Sequence, residues 1–405
     1  MHRRNLLQFG LGAGLAGALP LQLWAAPTPA AAAASDTPRL LVVFMRGAYD
    51  AANLLVPVSS SFYYESRPNI AIAKTAALPL DADWGLAPAL ADSMHPLWLK
   101  GQATFVPFAG THDTSRSHFE TQDHIELGQP DQGAGSRDFR SGFMNRLATV
   151  LGSSSRLEAM AFTDQVPLIL RGSLPVANQA LRDLGKPAIN TAQAQAIAGM
   201  YAGTRLAGTV SGGFEVRDEV SRSMSAEAGE MEAASRNAIA AKGFALEARR
   251  IARLMRDRVT LGFIDVGGWD THVGEGGATG QLANRLGELG KGLALFADEM
   301  GPQWNNTVVV VVSEFGRTFR ENGNRGTDHG HGSAYWVLGG GVKGGRIAGE
   351  QVAVNASTLF QNRDYPVLNE YRALLGGLFK RMYGLNDAQL ATVFPGAGAR
   401  DIGLV

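Results

Sequence analysis

The chain has 405 residues, 45% of them apolar, with 37 basic and 37 acidic side chains and no net charge. That length suits one large α/β domain or two smaller ones, and the even charge, without a basic helix or an aromatic stacking platform, argues against a nucleic-acid partner. There is no cysteine, so disulfides, thiolate metal sites and a cysteine-derived formylglycine are all excluded.

Residues 1–34 read as a targeting segment. His2-Arg3-Arg4-Asn5-Leu6-Leu7 precedes an apolar, glycine-rich stretch from Phe9 to Leu23 and the alanine run Ala30 to Ala34. This is the pattern of a twin-arginine export signal with small-residue cleavage choices near its end. The alternative is an N-terminal membrane anchor, but the stretch is short and glycine-rich for the roughly 20 residues that a span needs. The expectation is a periplasmic or secreted protein. It would meet the twin-arginine translocase during export and keep no stable membrane span after cleavage.

Residues 35–405 then alternate strand and helix. The run Leu40 to Met45 reads as a buried strand, ending in Arg46-Gly47-Ala48-Tyr49-Asp50-Ala51-Ala52-Asn53. A helix is expected over Pro88 to Lys100, and a second strand over Ala103 to Phe108 that runs into Thr111-His112-Asp113-Thr114-Ser115-Arg116-Ser117-His118. One or two strand pieces are expected within Ala161 to Arg171, around Pro167. Residues about 175–256 turn rich in Ala, Glu, Arg and Gln, with helical periodicity in Ala192 to Tyr201 and Ala226 to Arg256. They predict a helical insert.

The strand Val259 to Asp265 follows, ending in Gly267-Gly268-Trp269-Asp270-Thr271-His272, and a helix from Gln281 to Met300. Val308 to Val312 is another buried strand, ending in Ser313-Glu314-Phe315-Gly316-Arg317. A glycine- and asparagine-rich loop leads to Thr327-Asp328-His329-Gly330-His331-Gly332, then to the strand Ala334 to Leu338 and a last helix, Tyr371 to Tyr383. No internal repeat is visible. The order predicts an α/β fold: a doubly wound, mostly parallel sheet covered on both faces, with any ligand outside the carboxyl ends of its strands.

The histidines point to that edge. Of the eight, His2 lies in the signal and His95 in a helix. The other six, His112, His118, His124, His272, His329 and His331, all follow predicted strands, accompanied by Asp50, Asp113, Asp123, Asp270, Glu314 and Asp328. Imidazoles and carboxylates without thiols suit one or two divalent ions: Zn, Mn or Mg, or Ca where oxygen dominates. Each motif alone also has a plainer reading. Asp270-Thr271-His272 could be a capped turn, Asp50 a helix cap near Asn53, and Glu314 with Arg317 a buried ion pair. Alternation along an extended loop lets only one of His329 and His331 face a common site.

Taken together, Arg46-Gly47…Asp50…Asn53, Arg116-Ser117-His118-Phe119, Gly267-Gly268-Trp269-Asp270-Thr271-His272, Ser313-Glu314-Phe315-Gly316-Arg317 and Gly326-Thr327-Asp328-His329-Gly330 resemble a large bacterial family. Its members are twin-arginine-exported and labelled only as a domain of unknown function (number 1501). That family is similar to the alkaline phosphatase and sulfatase superfamily. The resemblance implies an alkaline-phosphatase-like sheet whose strand ends hold metal ions and a nucleophile. On that basis Ser117 is the expected nucleophile, with Ser115 and Thr114 behind it, and Arg116 and His118 beside it. Asp50 would bind the metal that activates the nucleophile. Asp270 and His272, completed by His329 or His331 with Asp328 nearby, would hold the other. Glu314 takes the place of the superfamily's Asp, and Phe315 stands where a histidine ligand usually follows. Arg46, Arg317 and Asn53 are the anion-binding candidates. The implied activity is hydrolysis of an anionic small-molecule or glycan ester of phosphate or sulfate. The alternative is a catalytically reduced metal-binding envelope protein that holds a ligand or partner.

Overall fold

The chain segments Leu40–Phe44 and Val308–Val312 are apolar at every position, because the strands they form are covered on both sides and have no solvent face to alternate with. The computed structural model describes residues 37–130, 137–153, 158–180, 191–216 and 243–405. All of these lie in one unit, Asp36–Val405. The targeting segment 1–34 lies outside the described residues.

Among the described residues the strands are β1 (Arg39–Arg46), β2 (Leu55–Val56), β3 (Leu78–Pro79), β4 (Gly85–Leu86), β5 (Ala103–Gly110), β6 (Ala159–Ala161), β7 (Ala177–Asn178), β8 (Leu261–Gly267), β9 (Thr307–Ser313), β10 (Ser333–Leu338) and β11 (Asn369–Glu370). Eight form one sheet in the order β11-β5-β10-β9-β1-β8-β6-β7, and β2, β4 and β3 form a small second one. In the large sheet only β10 runs against its neighbours β5 and β9; every other pair is parallel. The protein is therefore a mixed α/β fold with a mostly parallel sheet.

Alternate residues of β1 enter opposite cores. Leu41, Val43 and Met45 pack with the helices Met94–Leu99, Phe244–Asp257 and Gln281–Met300. Leu40, Val42 and Phe44 pack with Phe143–Val150, Tyr371–Tyr383 and Asp387–Val393. Truncating any one of these β1 leucines to alanine should cost about 2–5 kcal/mol, since the site cannot collapse between two helical layers.

Three expectations change. The helix over Pro88 to Lys100 is split into a 3-10 turn, Pro88–Leu90, and a short helix, Met94–Leu99. The stretch Ala161 to Arg171 contributes only the end of β6; Leu168–Leu170 is a 3-10 turn entered from Pro167, which has no N–H to give to a ladder. Within the span expected as a helical insert, Thr191–Tyr201 and 207–216 are helical, while 181–190 and 217–242 lie outside the described residues. The two ends of that span belong to the sheet and its cover: β7 is an edge strand of the large sheet, and Phe244–Asp257 buries Phe244, Ala248, Ile251 and Met255 in the core.

Candidate metal centre

The carboxyl ends of β1, β8 and β9 stand side by side, with Met45 opposite both Val266 and Ser313. Nearby, β5 delivers the loop that enters the helix His118–Leu127. After β9 the chain folds back on itself. Gly316 N–H donates to the His331 carbonyl and Gly330 N–H to the Gly316 carbonyl, both at 2.8 Å, and Arg317 pairs with His329 in a β-bridge. Two glycines let the loops touch. A Cβ on Gly47, whose φ of 118° suits only glycine, would come within 2.9 Å of Asp270 N; one on Gly326 would lie 2.4 Å from the His272 carbonyl carbon.

Three imidazoles and a carboxylate meet at this edge. His329 Nε2 lies 3.0 Å from His118 Nε2 and 3.2 Å from His272 Nε2. Asp270 reaches all three rings: Oδ1 is 2.9 Å from His272 Nε2 and 3.4 Å from His329 Nε2, and Oδ2 is 3.6 Å from His118 Nε2. Donor atoms of His118, Asp270 and His329 all fall within 4.8 Å of one another.

The other nitrogen of each ring is held from behind. His118 Nδ1 is 2.8 Å from Glu314 Oε1, His272 Nδ1 is 3.1 Å from Asp328 Oδ1, and His329 Nδ1 is 3.0 Å from the Arg116 carbonyl. Ionised carboxylates and a carbonyl can only accept, so each Nδ1 carries a hydrogen and each neutral ring turns its Nε2 lone pair toward the others. Lone pairs at that spacing repel unless a cation, either a proton or a metal ion, sits among them. Ligands on a tetrahedral zinc with bonds of about 2.0–2.1 Å lie about 3.3 Å apart, within the spread of separations found here. His118, Asp270 and His329, each ring with an outer partner, could hold a zinc-type ion, with His272 beside Asp270 and His329 but outside that mutually close group.

Electrostatics around the cluster follow from these partners. The bond to Glu314 raises the His118 pKa, against the opposing effect of burial. Burial lowers that of His329, outweighing its bond to the Arg116 carbonyl. Burial alone would raise Asp270, but the hydrogen bond and charge of Arg317 hold it below the usual carboxylate range. Glu314, fully buried, is likewise held low by bonds from His118, Gln122 and the Gly47 N–H. Phe315 packs under two of these rings, with centroids 4.9 Å from His118 and 5.2 Å from His329. The position expected to carry a histidine thus gives the cluster an apolar floor.

Several sequence candidates fall elsewhere. Asp50 does not join the cluster: Arg67 takes both of its oxygens, and Oδ1 also caps Ala52 at 3.2 Å. Both partners are fully buried, so removing either should cost about 3–5 kcal/mol. Glu314 does not pair with Arg317, which binds Asp270 and Thr327 instead. His331 turns to the other side of its loop, against Phe360 at 4.7 Å, where burial and then the charges of Arg116 and His112 push it down to about 4. Arg116 holds buried Asp364 at 2.8 Å and Gln361 at 2.7 Å. Arg46 holds Asp265, Glu126 and Gln122. Asn53 is scaffold, bonded to Tyr63, Arg67 and the Ile70 carbonyl. Arginines and an amide already satisfied in this way are poor anion receptors.

Ser117 occupies the N-cap position of the helix His118–Leu127, half-buried, but its hydroxyl makes no capping bond. Ser115 is committed, its Oγ donating to Asp113 Oδ2 at 2.8 Å. Sequence reasoning missed Arg67, Glu275 and Arg285. Arg285, one turn past Gln281 in the helix Gln281–Met300, has no hydrogen bond or ion pair among the described residues. Its guanidinium carbon lies 3.8 Å from where a Gly268 Cβ would be. A basic residue early in a helix carries no signal of its own, whereas an acidic residue inside Gly274-Glu275-Gly276 after the Asp-Thr-His motif could have been noticed.

Residues 37–394 match one protein family, described as "Protein of unknown function (DUF1501)". No curated protein and no solved structure matches the chain.

Proposed function

The chain belongs to the DUF1501 family, and from that premise we propose that it is an exported, metal-dependent hydrolase of phosphate or sulfate esters. The observation that carries this reading is the convergence of His118, Asp270, His272 and His329, every ring oriented from behind, at the carboxyl edge of a mostly parallel sheet. Kinship of that sheet with the alkaline phosphatase and sulfatase superfamily is part of the proposal. Because imidazole nitrogens outnumber carboxylate oxygens among the donors, one zinc ion is preferred over manganese, and both over magnesium or calcium. Such an ion polarises an ester's phosphoryl or sulfuryl oxygen and makes a nearby hydroxyl easier to deprotonate.

The chain's own residues supply the rest. Ser117, one position before His118 and uncommitted to the helix cap, is the attacking hydroxyl. Arg285, whose guanidinium lies beside Gly268 and has no partner among the described residues, takes up negative charge on the ester. It shares a helix face with Gln281, whose amide donates to the Val273 carbonyl at 3.2 Å, so Arg285 and Val273 border the same loop as Asp270 and His272. Val273 and Phe119, each next in sequence to a ligand histidine, are 60% and 83% exposed and offer an apolar rim to the organic part of the ester. Residues 1–34 direct export. Replacing Arg3 and Arg4 together by Lys should keep the protein in the cytoplasm, and undiminished export would remove the twin-arginine part of the proposal.

One observation favours a second reading, in which the protein binds an anionic ligand without turning it over. Arg67 neutralises Asp50, so the ligand expected for a second metal is spent. Assay of zinc-loaded protein on an aryl phosphate and an aryl sulfate decides between the two. Turnover that disappears in His329→Ala supports the hydrolase; one bound zinc without turnover supports the binding protein. No helix among the described residues is long and apolar enough to cross a membrane.

A further inference from the structure

Glu275 lies behind the metal centre. It is fully buried, and its Oε2 accepts from Thr271 Oγ1 and Thr327 Oγ1, both at 2.8 Å. Thr271 stands between Asp270 and His272; Thr327 stands immediately before Asp328 and His329. Thr327 Oγ1 also receives Arg317 Nε at 3.2 Å, and Arg317 is the residue that grips Asp270. Three main-chain bonds run along the same seam: Thr327 N–H to Thr271 O at 3.2 Å, Gly274 N–H to Asn324 O at 3.0 Å, and Glu275 N–H to Arg325 O at 2.9 Å. The Glu275 side chain also meets Asp50, the residue already held by Arg67 at the end of β1.

We propose that Glu275 is a positioning residue. As a neutral carboxylic acid it fastens the Asp270–His272 loop to the Thr327–His329 loop through two threonine hydroxyls, and fastens both to the Asp50–Arg67 pair behind them. The proposal rests on the metal-centre reading above and extends it to what holds the ligand loops in register.

Counting donors and acceptors requires the proton. Both threonines donate to Oε2, while Oε1 is buried without a donor. Its neighbour Asp50 is a carboxylate that can only accept. A second negative charge there would face Asp50 with Arg67 already engaged, at a cost that grows in a dry interior. With a proton on Oε1, the orphan acceptor becomes a donor to Asp50, and one negative charge remains for one positive. Burial, then the Asp50 charge, push the Glu275 carboxyl well above its ordinary range, in the direction this arrangement needs. Burial would raise Asp50 as well, but the charge and bonds of Arg67 outweigh it and keep that group ionised. One acid stays neutral and one stays charged.

Glu275→Gln preserves the shape: the amide nitrogen can donate to Asp50 and the amide oxygen can accept from both threonines. Zinc affinity, measured on the full chain by competition with a chelator, should stay within about threefold of wild type in Glu275→Gln and weaken about tenfold or more in Glu275→Ala. A Thr271→Val, Thr327→Val double variant should lose affinity as Glu275→Ala does, and it serves if the alanine variant fails to fold. Infrared spectra should contain the carbonyl band of a buried carboxylic acid at neutral pH, missing in Glu275→Gln. Loss of zinc in Glu275→Gln equal to that of the alanine variant would overturn the proposal, as would wild-type affinity in Glu275→Ala or no acid band. If the wild type takes up no zinc, the metal reading fails by itself. The clamp then stands or falls on the acid band and on amide exchange in residues 270–275 and 322–329, which should quicken in the alanine or threonine variants and not in Glu275→Gln.

Discussion

His118 Nδ1 lies 2.8 Å from Glu314 Oε1, a bond that ties the loop after β5 to the end of β9 and turns the opposite ring nitrogen toward His329 and Asp270. Glu314 Oε1 also accepts from Gly47 N–H and Gln122 Nε2, and Oε2 accepts from Ser313 Oγ. The carboxylate is thus fixed from three directions before it fixes the histidine. Glu314→Gln should weaken zinc binding about tenfold, the usual cost of losing an outer partner of a ligand histidine. Glu314→Ala should in addition cost about 1–3 kcal/mol of stability by stranding buried donors. Chelator competition and thermal melting read the two effects separately, and zinc affinity unchanged in both variants would detach Glu314 from the site.

Ser117→Ala should abolish ester turnover while leaving zinc content and melting temperature unchanged. Its hydroxyl makes no cap bond, so the loss of about 1 kcal/mol that follows removal of a serine cap is not expected. Ser115→Ala is the control. It breaks a bond to Asp113, so it should lower stability and spare turnover. Turnover that survives Ser117→Ala would exclude it as the nucleophile.

Arg285→Ala should raise KM for an aryl phosphate about tenfold or more, the worth of a charge-assisted bond, with kcat changed far less. A neutral aryl acetate should not respond. Equal effects on both substrates would mean that Arg285 shapes the loop and does not bind the anion.

Asp113 gives the loop that carries Ser117 and His118 a pH dependence. Burial favours its neutral form, but bonds from Thr121 and Ser115 prevail and depress its pKa below the ordinary 3.8. As acid is added, the unfolded chain therefore takes up the proton first. The stabilisation is present in full above the unfolded value and is lost as pH falls through the lower folded one. Asp113→Asn should be less stable than wild type near neutral pH, and the gap should close below about pH 4. Urea unfolding across that range checks it; a constant gap would mean that the charge of Asp113 is not what braces the loop.

The central strands were legible because burial on two faces leaves an unbroken apolar signature, as in Val308–Val312. The short edge strands were not: β6 has three residues and β7 two, too few for any periodicity. In the site, the clustering of imidazoles after strands was readable, and alternation separates His329 from His331 once the Gly316–His331 ladder sets the register. The role of Asp50 was not readable. Its partner Arg67 lies 17 positions on, in a stretch with no pattern linking the two, so a buried ion pair and a metal ligand look the same in sequence. Glu314 was misread in a similar way. A carboxylate at the end of a strand can face an ion or stand behind a histidine, and only the distance to His118 tells which.

The most direct test is the metal content of the purified full-length chain, by elemental analysis against protein concentration, after exposure to zinc and removal of excess. About one zinc per chain is expected from a single centre of this kind, lost in a His118→Ala, His329→Ala double variant that still folds. Absence of zinc from the wild type, or the same content in the double variant, would contradict the account.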